Sequence, residues 1–154
     1  MSPRVDVSMS SDEIARFLGE PRTAVLSSLD RGGGPHAAAM WFVVSGPEIQ
    51  MWTYGKSQKA VNLRRDPRCA FLAEEGLAYN ELRGVLVKGE ATLIEDYEDI
   101  REIGVALYDR YTKPTTGIDA EAGPITEIER QAAKRVGISL PLVDVASWDH
   151  ARLG

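Results

Sequence analysis

Thr53-Tyr54-Gly55-Lys56-Ser57-Gln58-Lys59-Ala60-Val61-Asn62-Leu63-Arg64-Arg65-Asp66-Pro67-Arg68 begins as a strand, turns at a glycine and restarts as a short basic helix. Ser57 is a natural N-cap, because its hydroxyl can accept one of the backbone N–H groups that the first turn of a helix leaves unpaired. The remaining amides and the helix dipole attract an anion, and Lys56 and Lys59 stand close enough in sequence to add formal charge. Two readings follow: a phosphate site, or a Ser-capped helix with a solvated Lys/Arg face. Pro67 ends the helix, since the residue before a proline is pushed out of the α region, and Arg68 to Ala73 returns to strand. Strand–helix–strand order around a crossover occurs only here.

Outward from this crossover the other early connections are of hairpin length. Ser10 to Leu18 carries a helix start, with Ser10 as N-cap, Glu13 three residues on, and Ile14, Phe17 and Leu18 as an apolar stripe. Thr23 to Leu29 reads as a strand, the turn Asp30 to Gly34 leads into an apolar run from His36 to Val44, and Ser45-Gly46-Pro47-Glu48 turns into Ile49 to Tyr54. Leu82 to Ile94 is a long extended segment in which Gly84 and Gly89 mark bulges or close approaches, as in a strand bent at a barrel corner. Asp96 to Tyr111 has the strongest helical spacing, through Ile100, Ile103, Leu107 and Tyr111, and Lys113-Pro114-Thr115-Thr116-Gly117 breaks it. Ile125 to Arg135 reads as a further helix, and Val136 to Trp148 as a final strand pair or one bent strand interrupted at Pro141. Six or so short antiparallel strands with a few inserted helices predict a mainly β (α+β) barrel rather than a doubly wound sheet.

At 154 residues the chain reads as a single domain over 1–154, long enough to bury about two-thirds of its unfolded surface. A 44% hydrophobic and 27% charged composition is that of a soluble globular protein. The net charge of −5 argues against a general nucleic-acid binder and leaves the basic cluster as a local feature, suited to a small anionic ligand. Cys69 is the single cysteine, so neither an internal disulfide nor a cysteine-based metal site is available. The first residues lack an apolar leader core, and no apolar run approaches the ~20 residues a bilayer span needs, so the reading is cytoplasmic with no membrane partner.

The chemistry-bearing patterns are few. His36 and His150 are the only histidines, without the spacing of a metal site, and no metal is expected. There is no Gly-x-Ser-x-Gly elbow and no Walker or dinucleotide fingerprint; Gly32-Gly33-Gly34 reads as a hairpin turn. Glu74-Glu75 and Glu95-Asp96 read as solvated or helix-start charge. Trp41, Phe42, Trp52 and Tyr54 fall on adjacent strands just upstream of the basic turn. Alternation sends Trp41 and Val43 one way and Phe42 and Val44 the other, so one pair can form core while the other lines a flat cleft.

Taken in order, several segments resemble the pyridoxamine 5′-phosphate oxidase-like flavin/deazaflavin oxidoreductases, the split β-barrel family. They are Gly34-Pro35-His36, Met40-Trp41-Phe42-Val43, the Gly46 turn, Ser57-Gln58-Lys59, Asn62 to Arg68, Gly84 to Ala91 and Ser147-Trp148-Asp149-His150. The resemblance implies a six-stranded antiparallel split barrel of Greek-key topology, and a homodimer with the cofactor at its interface. It also implies that Ser57 and Lys59 hold the cofactor phosphate, that Ala39, Met40 and Trp41 flank the tricyclic ring, and that Thr53 and Tyr54 line the same cleft. Asn62, one turn from Lys59, could reach the same anion, and Lys56 could add charge.

The FMN-binding oxidases of this family carry an arginine and a lysine on the second strand, and Ala37 to Val44 has neither. Each lost charge-assisted hydrogen bond weakens binding by roughly 1.5–3 kcal/mol. The pattern is closer to the branch that uses coenzyme F420, whose phosphodiester and polyglutamate tail could use Lys56, Lys59 and Arg64 or Arg65. The expected function is hydride transfer from reduced F420 to an unsaturated small organic substrate. An FMN-dependent reductase or oxidase, and a non-catalytic F420 carrier, share this sequence pattern. Tyr54, Tyr79 and His36 are candidate proton donors, and Thr112 to Gly123 with the Trp148 tail are candidate substrate contacts.

Overall fold

The computed structural model describes residues 3–154. Helix α1 (Ser11–Gly19) starts at the expected capping box: Ser10 Oγ accepts from the Glu13 N–H, and Glu13 Oε1 accepts from the Ser10 N–H. Nine strands follow: β1 (Ala24–Leu29), β2 (Pro35–Met40), β3 (Val43–Ser45), β4 (Glu48–Tyr54), β5 (Arg68–Glu75), β6 (Arg83–Glu90), β7 (Thr92–Ile94), β8 (Arg135–Pro141) and β9 (Asp144–Asp149). Helix α2 (Gln58–Arg65) joins β4 to β5, while α3 (Tyr97–Tyr111), α4 (Lys113–Thr116) and α5 (Ile125–Ala132) lie between β7 and β8.

The six extended segments read from the sequence become nine strands because three of them bend. The His36–Val44 run breaks at Trp41-Phe42, the Leu82–Ile94 run at Ala91, and the last run at Leu142-Val143. Ala91, rather than Gly84 or Gly89, is the bend in its segment. All pairings are antiparallel, in a sheet ordered β2-β1-β5-β6-β9 and another ordered β3-β4-β8-β7. Each bend therefore carries the chain from one sheet to the other. Around the resulting split barrel the segments run first, second, third, sixth, fifth, fourth, which is a Greek-key order. The mainly antiparallel α+β split barrel expected from the sequence is thus the fold observed.

The core lies between the sheets, where Leu26, Ile49, Met51, Val85, Val87, Ile138 and Leu140 are fully buried and Phe42 meets Phe71 edge-to-face at 4.9 Å. A second cluster of Val43, Ile103 and Leu107, with Trp52, Ile94 and Tyr111, covers the outer side of the smaller sheet with α3. Gly84 and Gly104 mark close approaches. A Cβ on Gly84 would stand 2.3 Å from the Trp148 indole, and one on Gly104 2.4 Å from the Trp52 ring.

Two helix boundaries differ from the sequence reading. Lys113 to Thr116 continues as one more helical turn, with Pro114 in the first turn where its missing N–H is not needed, and ends at Gly117 with φ of 67°. The helix expected to reach Arg135 stops at Ala132, and Arg135 instead opens β8 opposite Tyr54. A long-range ladder pairing overrides the local helical spacing there.

Helix α2 is pinned from below by Asn62, which is 0% exposed. Its Nδ2 donates to Ser28 Oγ (3.1 Å), and its Oδ1 accepts from Gln58 Nε2 (2.7 Å) and Arg65 Nη2 (3.2 Å). Replacing Asn62 by Ala should lower unfolding stability by about 1–3 kcal/mol in urea denaturation, the cost of a broken buried polar network. A loss under about 0.5 kcal/mol, typical of a surface change, would contradict the pin.

At the other end of the barrel, Glu75 pairs with Arg22 at 3.0 Å and with Arg83, and Arg22 lies over the Phe17 ring of α1. Burial raises the Glu75 pKa, but the hydrogen bond from Arg83 and the charges of Arg22 and Arg83 outweigh it, so the net shift is downward. A depressed carboxyl stabilises fully above its ordinary value of 4.5 and loses that contribution as pH falls through its folded value. Glu75→Gln should therefore lower the thermal midpoint at neutral pH, with the gap to wild type closing as pH drops below 4.5. A gap independent of pH would overturn this role.

Candidate functional site

Between the inserted helices and the barrel lies a cleft of about 760 Å³. The barrel side supplies Thr23, Ala39, Met40, Trp41, Trp52 and Arg135; α3 and its end supply Gly104, Leu107, Tyr108 and Thr112; α5 and the residue before it supply Pro124, Glu127, Ile128 and Gln131. The bend after β2 creates this wall. Phe42 is drawn wholly into the core, and Trp41 is left 51% exposed, stacked on Tyr111 at 4.6 Å with an interplanar angle of 1°. The Tyr111 hydroxyl donates to the Arg22 carbonyl (2.8 Å) and accepts the Phe42 N–H (3.2 Å), tying the end of α3 to the bend. Strict alternation fails across the bend: Val43 is buried beneath α3 while Trp41, two residues earlier, stays outside.

The basic turn starts where β4 leaves this cleft. Ser57 caps α2 as expected, its Oγ accepting from the Ala60 N–H (3.2 Å) and from Thr53 Oγ1 (3.1 Å). Thr53 is buried and braces the cap. Helix geometry leaves the Gln58 and Lys59 N–H groups without intrahelical acceptors. Among the described residues, Lys56, exposed, and Lys59, half-buried, form no ion pair, whereas Arg64 reaches the Gly55 carbonyl and Glu95 and Arg65 reaches the Leu29 carbonyl and Asn62. The free cations of this segment are its two lysines. Asn62 is engaged internally, below the helix rather than at its N-terminus.

Arg135, absent from the sequence-derived set, links the two parts. Its guanidinium carbon lies 4.6 Å from the Trp52 ring centre and 4.3 Å from that of Tyr54, which is itself exposed. The spacing Ile125, Ile128, Ala132 continues to Val136, so local pattern alone places Arg135 on a helix; only the pairing with Tyr54 reveals it.

Of the candidate proton donors, Tyr54 stands in this arrangement against Arg135, while His36 and Tyr79 lie apart from it. His36 Nδ1 is buried without a hydrogen-bond partner, and Tyr79 sits on the surface against His150 at 4.6 Å. Tyr108 does line the cleft, but its hydroxyl donates to the Ile118 carbonyl at 2.7 Å. Thr112 is the one residue of the expected 112–123 contact region on the cleft wall, and Trp148 packs on Gly84 instead. Burial pushes the Cys69 thiol up to about 11, which makes it a poor nucleophile. Among the described residues no His/Cys/Asp/Glu cluster could hold a metal ion, and no helix is long and apolar enough to cross a membrane.

Comparison with known proteins agrees with this architecture. The structure superposes on the conserved hypothetical protein Rv2991 of Mycobacterium tuberculosis with a TM-score of 0.88 and 42% identity, covering 100% of this chain and 93% of that one. A structure described as an F420 reductase shares the fold, with a TM-score of 0.64 and 23% identity over 84% of this chain and 93% of that one. In sequence, the F420H(2)-dependent biliverdin reductase of Mycobacterium tuberculosis (strain CDC 1551 / Oshkosh) is 28% identical over 106 residues, 68% of this chain and 74% of that protein. Residues 10–148 match the family described as pyridoxamine 5'-phosphate oxidase. Since that match takes in all nine strands to within one residue, the chain belongs to the pyridoxamine 5'-phosphate oxidase family.

Proposed function

We propose that the protein is an oxidoreductase that uses reduced coenzyme F420 to deliver a hydride to an unsaturated small organic molecule. The observation that carries this reading is the pair of unpaired lysines, Lys56 and Lys59, at the Ser57-capped start of α2, one strand-end away from an aromatic cleft of about 760 Å³. Ser57, Lys56, Lys59 and the first amides of α2 would hold a phosphodiester and anionic tail, because the donors there have no internal acceptor. Ala39, Met40 and Trp41 would flank the ring, Thr53 keeps the Ser57 cap oriented, and Tyr54, outside the cleft lining, packs on Arg135 at 4.3 Å beside the turn. When bound, F420 supplies the hydride chemistry that no side chain of the cleft provides. Met40, Leu107 and Ile128 give an apolar lining to the space where the substrate would stack. The F420-dependent activities named for two relatives support this choice, as does β2, whose Ala37, Ala38 and Ala39 offer no cation to an FMN phosphate.

A homodimer fits the same reading. Ala39, Val25, Leu72, Leu86 and Ala146 stand opposite one another in register, an apolar row across all five strands of the larger sheet. Ala39 also lines the cleft, so a second chain on this face would reach the cleft rim and place the site at the interface.

Fluorescence titration with F420 and FMN side by side tests the cofactor. Wild type should bind F420 more tightly than FMN, and Lys59→Ala should weaken F420 binding by roughly 10–100-fold, as for one charge-assisted hydrogen bond. Unchanged F420 affinity in Lys59→Ala would remove the anion role. For the dimer, sedimentation should give twice the 16.9 kDa chain mass. Leu86→Asp should give the single-chain mass, and a wild type already at that mass would contradict the interface.

A further inference from the structure

We propose that Arg135 anchors a carboxylate of the substrate, so that the cleft selects hydrophobic organic acids over their neutral counterparts. This rests on the reading of the cleft as the substrate site of a reductase. Arg135 is half-buried and, among the described residues, makes no ion pair and no side-chain hydrogen bond; its Nε is buried with no acceptor. That sets it apart. Arg22, Arg65, Arg83, Arg101 and Arg110, also withdrawn in part from solvent or packed on the core, each reach a carboxylate or a carbonyl, and Arg110, whose Nε is likewise buried without an acceptor, is still held through its Nη2. The Nη donors of Arg135 meet no acceptor of the chain and are not buried, so they are the ones an acceptor from outside can reach.

The surroundings specify that acceptor. The Trp52 and Tyr54 ring centres lie 4.6 and 4.3 Å from the guanidinium carbon, holding it through cation–π contact while its Nη groups carry no hydrogen bond. A planar fork so held matches a carboxylate that accepts from its two Nη groups together, a match an ammonium cannot reproduce. Glu127, the one carboxylate on the cleft wall, is already engaged by Arg130 and by Gln131 Nε2 at 3.2 Å. Met40, Trp41, Leu107 and Ile128 give the wall apolar and aromatic surface, and its other polar members, Thr23, Tyr108, Thr112 and Gln131, are uncharged. An apolar cleft with one uncompensated cation favours a hydrophobic body with an acid at one end. Lys56, Ser57 and Lys59 do not line the cleft and Arg135 does, which assigns the cofactor's anionic groups to the turn and Arg135 to the substrate.

Isothermal titration calorimetry with naphthylacrylic acid and its methyl ester reads the selectivity, and F420 affinity is measured separately on the same proteins. Wild type should bind the acid on the order of 10-fold more tightly than the ester. Arg135→Gln should bring the acid down to the ester's affinity while leaving ester binding and F420 affinity within about twofold. Arg135→Lys, which keeps charge without the fork, should retain part of the preference. Equal affinity of wild type for acid and ester, as would follow if a partner subunit already neutralised Arg135, overturns the proposal. So does a preference that survives Arg135→Gln, or a loss of F420 binding in that variant, which would give the cation to the cofactor. If wild type fails to bind F420 yet shows an Arg135-dependent acid preference, the cofactor reading falls and the carboxylate anchor stands.

Discussion

The bend at Trp41-Phe42 is the constraint on which the rest of the site depends. Phe42 enters the core against Phe71, and this forces the chain out of the larger sheet and into the smaller one. Trp41 is thereby left outside, where its indole stacks on Tyr111 and becomes cleft wall. The Tyr111 hydroxyl then closes the arrangement by bonding the Phe42 amide and the Arg22 carbonyl, so the end of α3 is seated by the same bend. Gly104, one face along α3, lets the helix rest on Trp52. One local packing event therefore sets the barrel corner, the aromatic wall and the height of the helical cover.

Charge is distributed with a similar economy. Most arginines are neutralised by neighbours: Arg68 by Asp66, Arg83 and Arg22 by Glu75, Arg101 by Glu121 and Glu129, Arg152 by Glu13. In a chain of net charge −5 such pairing is easy to arrange. Among the described residues, Lys56, Lys59 and Arg135 are without partners, as are Arg4, Arg16, Arg31, Lys88 and Lys134; the first two stand at the start of α2 and Arg135 on the cleft wall. An unpaired cation beside a helix N-terminus or in a cleft wall is where an anionic ligand gains most from binding.

Local signals in the sequence were enough to read what depends on local physics. The capping box at Ser10 and Glu13, the Ser57 cap of α2, the stop at Pro67 and the acidic start of α3 at Asp96 all lie where the residues put them. The antiparallel barrel followed from tight turns between apolar runs. What stayed hidden depends on distant partners. The bend at Ala91 carries no glycine or proline, and Arg135 belongs to β8 only because Tyr54 pairs with it. Asn62 looks like a helix-surface ligand in sequence, yet Ser28, thirty-four residues earlier, draws it into the interior. For the same reason the turn residues were legible as a candidate anion site, while the cleft wall contributed by α5 was not.

Hydrogen–deuterium exchange with and without F420 asks most directly whether the basic turn and the cleft act as one site. A shared site predicts slowed exchange on F420 addition at the amides of Gly55 to Asn62 together with those of Ala39 to Trp41. Protection confined to the turn, or appearing only on distant strands, would mean that the two regions do not bind one ligand.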